Sequence, residues 1–347
     1  FAFIIFLHHY SIFNEGGVVS VEYFFILSGF VISFGYQRKI LNGYNIKDFL
    51  INRIIKLYPL HILTFFFSFV FTIRAAIISN GNIYFKSVIL NITLLQSFVP
   101  KNDYYFSFNA LSWFLSDILF FYLMFPLLIN LLMLLGKVRI YNKLMLSFLI
   151  LYSYIFASSI VPEEYTHAIF YINPILRIFD FFIGIILFYI YEKIKQSNIL
   201  KTNKLLTKKC IPTLIELLSV FILIIAIVFS KNVKQVYRFA CYYWVPISIL
   251  ILGFSQVFGE GIFSKILSQK IFTFLGKISF SFYMLHQIML GLIPPILGKL
   301  FNININGINS MVRFCVLLSI ILLSSIFCFY VYEIPIGKCI KNKISKK

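Results

Sequence analysis

The chain has 347 residues, of which 60% are hydrophobic, 19% aromatic and only 12% charged. A soluble domain carries about 25% charged residues, so this composition excludes an ordinary soluble protein and predicts a polytopic membrane protein. The formal net charge of +19 does not imply a nucleic-acid partner, because basic residues of membrane proteins collect in cytoplasmic loops. The five cysteines lack the spacing of a metal site or of a disulfide framework.

Apolar runs long enough to cross a bilayer, about 20 residues each, predict about ten transmembrane helices in one all-α bundle. We expect residues 1–347 to form a single integral membrane domain whose first span is truncated, because Phe1 already lies inside an apolar segment. The run at 84–99 is shorter and interrupted by Asn91, which indicates an interfacial or re-entrant segment. The predicted spans are 1–14, 18–36, 54–78, 112–135, 145–160, 169–191, 211–230, 237–257, 278–298 and 311–332.

The basic residues divide unevenly between the predicted loops. Of the 31 lysines and arginines, 22 lie in or beside the segments after the even-numbered spans and 7 in those after the odd-numbered spans. Because cytoplasmic loops carry an excess of Lys and Arg, this division predicts that both termini face the cytoplasm. We therefore expect a multi-pass protein of the cell (plasma or inner) membrane.

Three ionisable residues fall toward the outer ends of predicted spans. His9 lies in the first span, Glu22 one turn into the second, and Asp117 in the outer half of the fourth. An ionisable group at membrane depth is costly, which makes it a functional candidate. A neutral imidazole there can act as a general base toward a hydroxyl, oriented by a carboxylate. The alternative is that His8 and His9 are interfacial residues at a helix end.

Two further charged pairs have helical i, i+3 spacing. Arg53 and Lys56 stand at the predicted cytoplasmic end of the third span, where they suit an anionic cofactor or simply obey the positive-inside rule. Arg177 and Asp180 lie inside the sixth span, where they form either part of a site or a structural ion pair that locks helix packing. The layout predicts a polar centre facing outward and a basic entrance facing the cytoplasm.

Six groups of motifs follow one another along nearly the whole chain. They are IFLHHY (5–10) with GVVSVEYFFILSGF (17–30), NRIIKLYPL (52–60), LSWFLSD (111–117), PILRIFDFFIG (174–184), LGKISFSFYMLH (275–286) and EIP (333–335). In this order they resemble the acyltransferase-3 family of integral membrane O-acyltransferases. The chain has Lys56 where the family usually has Arg and Asp117 where it usually has Glu, so both positions keep their charge. A lysine lacks the bidentate fork that arginine offers to a phosphate.

The resemblance implies that cytoplasmic acyl-CoA, usually acetyl-CoA, donates its acyl group to a hydroxyl of a cell-surface or lipid-linked glycan. It also implies a catalytic histidine, which we assign to His9 because an aromatic residue follows it, assisted by Glu22 and Asp117. Arg53 and Lys56 are then expected to bind the phosphates of acyl-CoA, a co-substrate; no bound cofactor or metal is expected. Further residues expected to bind substrate or support the site are His8, Ser28, Trp113, Arg177, Asp180, Tyr283 and His286.

Two other classes of function remain open at the level of sequence. A transporter or flippase of a glycan or anionic solute would line its path with buried charges, and broken helices in two matching halves would favour it; no such halves stand out. A non-catalytic membrane scaffold is the third class. The expected partners are acyl-CoA, a glycan acceptor and the lipid bilayer, with no nucleic acid, and the sequence leaves the oligomeric state open.

Overall fold

A computed structural model describes residues 1–79, 81–136, 153–197, 210–302 and 307–344. Within these ranges the regular structure is entirely helical, with no strand, as the composition predicts. The helices, numbered in chain order, are α1 (Ala2–His9), α2 (Gly16–Leu41), α3 (Ile46–Ser79), α4 (Gly81–Ile92), α5 (Asn102–Tyr105), α6 (Trp113–Gly136), α7 (153–160), α8 (Glu163–Thr166), α9 (Pro174–Gln196), α10 (Cys210–Phe229), α11 (Gln235–Ala240), α12 (Trp244–Phe254), α13 (Ile262–Leu267), α14 (Lys270–Phe301), α15 (Ser310–Cys328) and α16 (Ile334–Ile344).

Eight helical segments of the described chain are long and apolar enough to cross a membrane, and they coincide with eight of the predicted spans. The first predicted span is represented by the eight residues of α1. The predicted span 145–160 lies mostly outside the described residues, so the count of ten stays a prediction. The eight segments are Gly16–Leu41, Ile46–Thr72, Ala110–Gly136, Pro174–Gln196, Cys210–Asn232, Gln235–Phe254, Lys270–Lys299 and Ser310–Ile344.

The segment predicted to be interfacial or re-entrant forms the short helix α4. Its 12 residues span about 18 Å at 1.5 Å per residue, which is well below the hydrocarbon thickness of about 30 Å. This length agrees with the prediction that 84–99 does not cross the membrane.

The predicted span 237–257 differs from the structure, because its helix is interrupted. Helix α11 ends at Ala240, and α12 begins at Trp244. The carbonyl of Phe239 lies in the last turn of α11, so it needs a partner other than the helix. The side chain of Arg177 supplies it: Nη1 donates to this oxygen at 2.7 Å. A hydropathy window sees only continuous apolar character and therefore misses this break.

The chain divides into two compact units, and the expectation of a single domain stays a prediction. Unit 1 comprises Phe1, Glu15–Leu50 and Asp117–Thr273. Unit 2 comprises Ala2–Asn14, Ile51–Ser116 and Phe274–Lys347.

In unit 1, helices α2 and α9 approach each other closely through two glycines. A β-carbon added to Gly29 would lie 2.0 Å from the carbonyl oxygen of Phe181, and one added to Gly184 would lie 2.0 Å from that of Ile26. Real β-carbons never come this near a backbone oxygen. Small residues allow membrane helices to pack backbone against backbone, and this contact fixes the helices that carry Glu22, Arg177 and Asp180.

Replacing Gly184 by alanine is therefore expected to separate α2 from α9. Overpacking of this kind costs about 1–3 kcal/mol, so the detergent-solubilised variant should lose its folded peak at a lower temperature than the wild type. Gly35→Ala is the matched control, because Gly35 lies on α2 with no atom within 4 Å of the added β-carbon. Equal thermal stability of the two variants, measured by size-exclusion chromatography after heating, would contradict the tight crossing.

The core of unit 2 joins α1, α14 and α15. Phe6, Phe282, Ile293, Leu317 and Ile321 form a buried apolar cluster. The chain leaves α1 through Ser11, whose φ of 62° is left-handed, a common conformation just beyond a helix end. These contacts hold the C-terminal turn of α1, which carries His8 and His9, against the middle of α14.

Candidate active site

The predicted site residues fall into both units. Unit 1 holds five and unit 2 holds seven. Those of unit 1 are Glu22, Ser28, Asp117, Arg177 and Asp180; those of unit 2 are His8, His9, Arg53, Lys56, Trp113, Tyr283 and His286.

The centre of unit 2 contains a pair of histidines from different helices. The rings of His9 and His286 lie 5.2 Å apart between centroids and are tilted by 43°. His9 is partly buried, whereas His286 is completely buried. The imidazole of His8 contacts that of His9 at 5.2 Å. The structure therefore brings His9 and His286 together, although the sequence predicted no contact between them.

Hydrogen bonds join the segment just before α6 to the part of α14 that carries His286. The side-chain amide of Asn109 donates to the carbonyl of Met284 at 3.0 Å, and the hydroxyl of Tyr283 donates to that of Leu111 at 3.2 Å. These bonds tie Tyr283 and Met284, in the turn that ends at His286, to the segment that precedes α6. Tyr283, a predicted site residue, thus fixes the position of this turn.

A cleft of about 340 Å³, within unit 2, is lined by the part of α14 that directly follows this turn. Gln287, the neighbour of His286, lines it together with Thr72, Asn109 and apolar side chains that include Phe71 and Phe108. The lining thus combines amide and hydroxyl groups with aromatic rings, as small-molecule sites commonly do.

Phe108 on the wall of the cleft has an unusual backbone conformation. Its φ of 58° is left-handed, which is rare for a bulky residue. Ring contacts with Phe65 at 4.7 Å and Tyr84 at 5.3 Å hold it there. Strained residues of this kind cluster at ligand sites, so the strain favours a binding role for the cleft.

A second polar cluster in unit 2 surrounds the predicted basic entrance. Lys56 lies near enough to Arg53 and to Glu333 to interact with both electrostatically. Glu333 accepts a hydrogen bond of 2.6 Å from the hydroxyl of Ser281. The hydroxyl of Tyr332 donates to the carbonyl of Pro59 at 3.1 Å. The cluster therefore brings together three of the motif segments, 52–60, 275–286 and 333–335.

In unit 1, the ion pair predicted from the i, i+3 spacing is present. Nε of Arg177 lies 3.1 Å from Oδ2 of Asp180, and both side chains are fully buried. The indole of Trp244 donates to the other carboxylate oxygen of Asp180. Glu22 is completely buried and near enough to interact electrostatically with Arg177 and Asp180. The guanidinium also lies over the ring of Phe25 at 5.0 Å.

Asp117 lies in the second turn of α6 and is completely buried. Four residues later, Phe121 contacts the ring of Phe25 at 5.0 Å and stacks on Phe181 at 5.3 Å. Phe25 itself follows Glu22 by three residues. Within unit 1, Asp117 therefore lies one helical turn before Phe121, and Glu22 lies one helical turn before Phe25, the ring that Phe121 contacts.

Several residues of these clusters were missed as site candidates from the sequence. Ser281 and Glu333 belong to motifs that carry the resemblance, and this was the signal that could have found them. No sequence signal pointed to Trp244. Its bond to Asp180 joins α12 to α9, and helical periodicity relates only residues of the same helix.

Comparison with known proteins agrees with the motifs. The acyltransferase-3 family, described as an acyltransferase domain, matches residues 1–332. Acyltransferase MdmB of Streptomyces mycarofaciens is 33% identical over 113 residues, which cover 32% of this chain and 28% of that protein. No solved structure matches the chain. Because the family match extends over nearly the whole of this polytopic chain, the protein is a member of the acyltransferase-3 family.

Proposed function

We propose that the protein is a membrane O-acyltransferase that moves an acyl group, most simply acetyl, from cytoplasmic acyl-CoA to a hydroxyl of a cell-surface or lipid-linked glycan. The observation that carries the proposal is the partly buried His9 packed on the buried His286, beside a cleft with polar and aromatic walls. A relative named as an acyltransferase supports the reaction class.

His9 serves as the general base in this mechanism. It removes the proton of the acceptor hydroxyl as the oxygen attacks the carbonyl carbon of the thioester. The carbon–sulfur bond then breaks, and the leaving thiolate takes the proton from His9, which gives free CoA and returns His9 to its neutral form. Glu22 and Asp117, which belong to unit 1, are not expected to bind the donor, because carboxylates repel phosphates.

The cleft beside His286 is the proposed acceptor site. Its volume of about 340 Å³ suits one or two sugar rings. The apolar faces of a sugar can pack on Phe71 and Phe108, while its hydroxyls bond to the amide and hydroxyl groups of the lining. In the predicted topology this part of α3 and α14 lies in the outer half of the membrane, the side from which a cell-surface glycan arrives.

Arg53 and Lys56 form the proposed donor site at the cytoplasmic end. The planar guanidinium of Arg53 can bind a phosphate in a bidentate manner, whereas Lys56 is a point charge with the carboxylate of Glu333 close by. Arg53 is therefore expected to contribute more to acyl-CoA binding than Lys56.

The experiment that tests the proposal follows the release of CoA thiol from acetyl-CoA by the purified protein, with membrane glycans as acceptor. Arg53→Ala should raise the KM for acetyl-CoA by about tenfold or more, as expected from the loss of a charge-assisted hydrogen bond, and leave the acceptor KM unchanged. Lys265→Ala is the matched control, because it removes an exposed charge from another predicted cytoplasmic loop. An absence of thiol release would favour a transporter or scaffold, and an unchanged KM would remove Arg53 from the donor site.

A further inference from the structure

We propose that His286 is the positioning residue of the general base. In this proposal Nε2 of His286 accepts a hydrogen bond from a ring N–H of His9 and thereby orients the imidazole that takes the proton of the acceptor. The inference rests on the proposed function and adds to it a residue that acts through His9.

Hydrogen bonds to the backbone fix the tautomer of His286. Its Nδ1 lies 2.8 Å from the carbonyl oxygen of Tyr283 and 3.2 Å from that of Phe282. Carbonyl oxygens only accept hydrogen bonds, so Nδ1 carries the hydrogen. In a neutral imidazole the other nitrogen then has a free lone pair, and Nε2 of His286 is an acceptor.

This acceptor is shielded from solvent and has no hydrogen-bond partner among the residues that the structure describes. A buried polar atom without a partner is unfavourable. Two of the rings packed around His286 are those of Phe6 and Phe282, with centroids at 6.3 and 5.9 Å, and they offer no donor. The ring of Tyr283 is also near, but its hydroxyl donates to Leu111.

His9 is the neighbour that can supply the donor. Its ring centroid is 5.2 Å from that of His286, so a rotation of the His9 ring brings one of its nitrogens to a hydrogen-bond distance of about 3 Å. His9 is the last residue of α1 and only partly buried, which leaves room for this rotation. His286 lies within the 32-residue helix α14 and is the fixed member of the pair.

The arrangement gives each nitrogen of His9 a separate task. One nitrogen faces the acceptor hydroxyl and takes its proton as the oxygen attacks the thioester carbon. The other nitrogen keeps its hydrogen and donates it to Nε2 of His286. When His9 is protonated this bond becomes charge-assisted and therefore stronger, so it stabilises the transition state more than the ground state.

Two substitutions of His286 separate positioning from packing. His286→Phe keeps an aromatic ring between Phe6 and Phe282 but removes the acceptor, whereas His286→Gln loses the ring and keeps an amide oxygen in its place. Positioning predicts that kcat falls about 10–100-fold in the Phe variant, as for partners that orient metal-binding histidines, and recovers in part in the Gln variant. The KM for acetyl-CoA should not change. A packing role predicts the opposite order, with the Phe variant more active.

His286→Met is a second variant without a comparable acceptor, to be used if the Phe variant does not fold. His61→Phe is the control for the loss of a buried imidazole, because His61 is fully buried but bonds to the carbonyl of Asn91 instead of to a histidine. Its kcat per folded molecule should equal that of the wild type.

The double variant His9→Ala/His286→Phe completes the test. If His286 acts through His9, the double variant should be no slower than His9→Ala alone, whereas independent roles would multiply the two losses. A wild-type protein that releases no thiol overturns the proposed function itself. A wild type and a His286→Phe variant with equal kcat, or independent losses in the double variant, overturn the positioning role alone.

Discussion

Replacing His9 by alanine is expected to reduce the kcat of acyl transfer by roughly 10²–10⁴-fold, the usual contribution of a general base. The loss should appear in kcat, because the substitution removes a group that acts in the transition state. Thiol release from acetyl-CoA at saturating concentrations of both substrates measures it directly.

His8→Ala is the matched control for this change. It removes an imidazole one residue away on the same turn of α1 and should lower kcat much less. Both variants should elute as folded protein with the retention of the wild type. Similar kcat values for the two single variants would contradict the assignment of His9 as the base.

Replacing Arg177 by methionine is expected to give the largest loss of stability. The change leaves the buried carboxylate of Asp180 without its cation, with Glu22 close by. It also removes the donor to the carbonyl of Phe239 at the end of α11. Breaking a buried ion pair in this way costs about 3–5 kcal/mol, which heating of the detergent-solubilised protein and size-exclusion chromatography will detect.

Asp180→Asn should cost less than Arg177→Met, because the guanidinium keeps its bond to Phe239 and its interaction with Glu22. Asp180→Asn combined with Arg177→Met should restore part of the lost stability by removing the unpaired charge. The control is Arg38→Met, which breaks a different ion pair, the one that Arg38 of α2 forms with Glu192 of α9. Its arginine side chain is 72% exposed, and such pairs contribute about 0–1 kcal/mol. Equal losses from Arg38→Met and Arg177→Met would contradict a structural role for the buried pair.

Much of the fold could be predicted from the sequence, because hydropathy directly reflects the cost of placing a segment in lipid. The ends of the spans were less accurate. The span predicted to begin at 278 belongs to a helix that begins at Lys270, and the helical segment around the last predicted span continues to Ile344. Backbone hydrogen bonding continues beyond the apolar part of a helix, and lysines at its ends reach the interface.

The candidate site was predictable only in part, for a different physical reason. The Arg177–Asp180 pair follows from the spacing within one helix, and the structure confirms it. The contact between His9 and His286 and the bond from Ser281 to Glu333 each join different helices. Such contacts depend on which helix faces pack together, and the periodicity of a single sequence does not record this.

The measurement that tests the central claim most directly is acyl transfer across a bilayer in proteoliposomes of uniform orientation. Labelled acetyl-CoA is supplied on the face of Arg53 and Lys56, and a membrane-impermeant glycan acceptor is enclosed on the other face. We predict labelled glycan in the lumen, free CoA outside, and neither product with His9→Ala. Label that stays in acetyl-CoA with the wild type, or equal transfer by wild type and His9→Ala, would contradict the account.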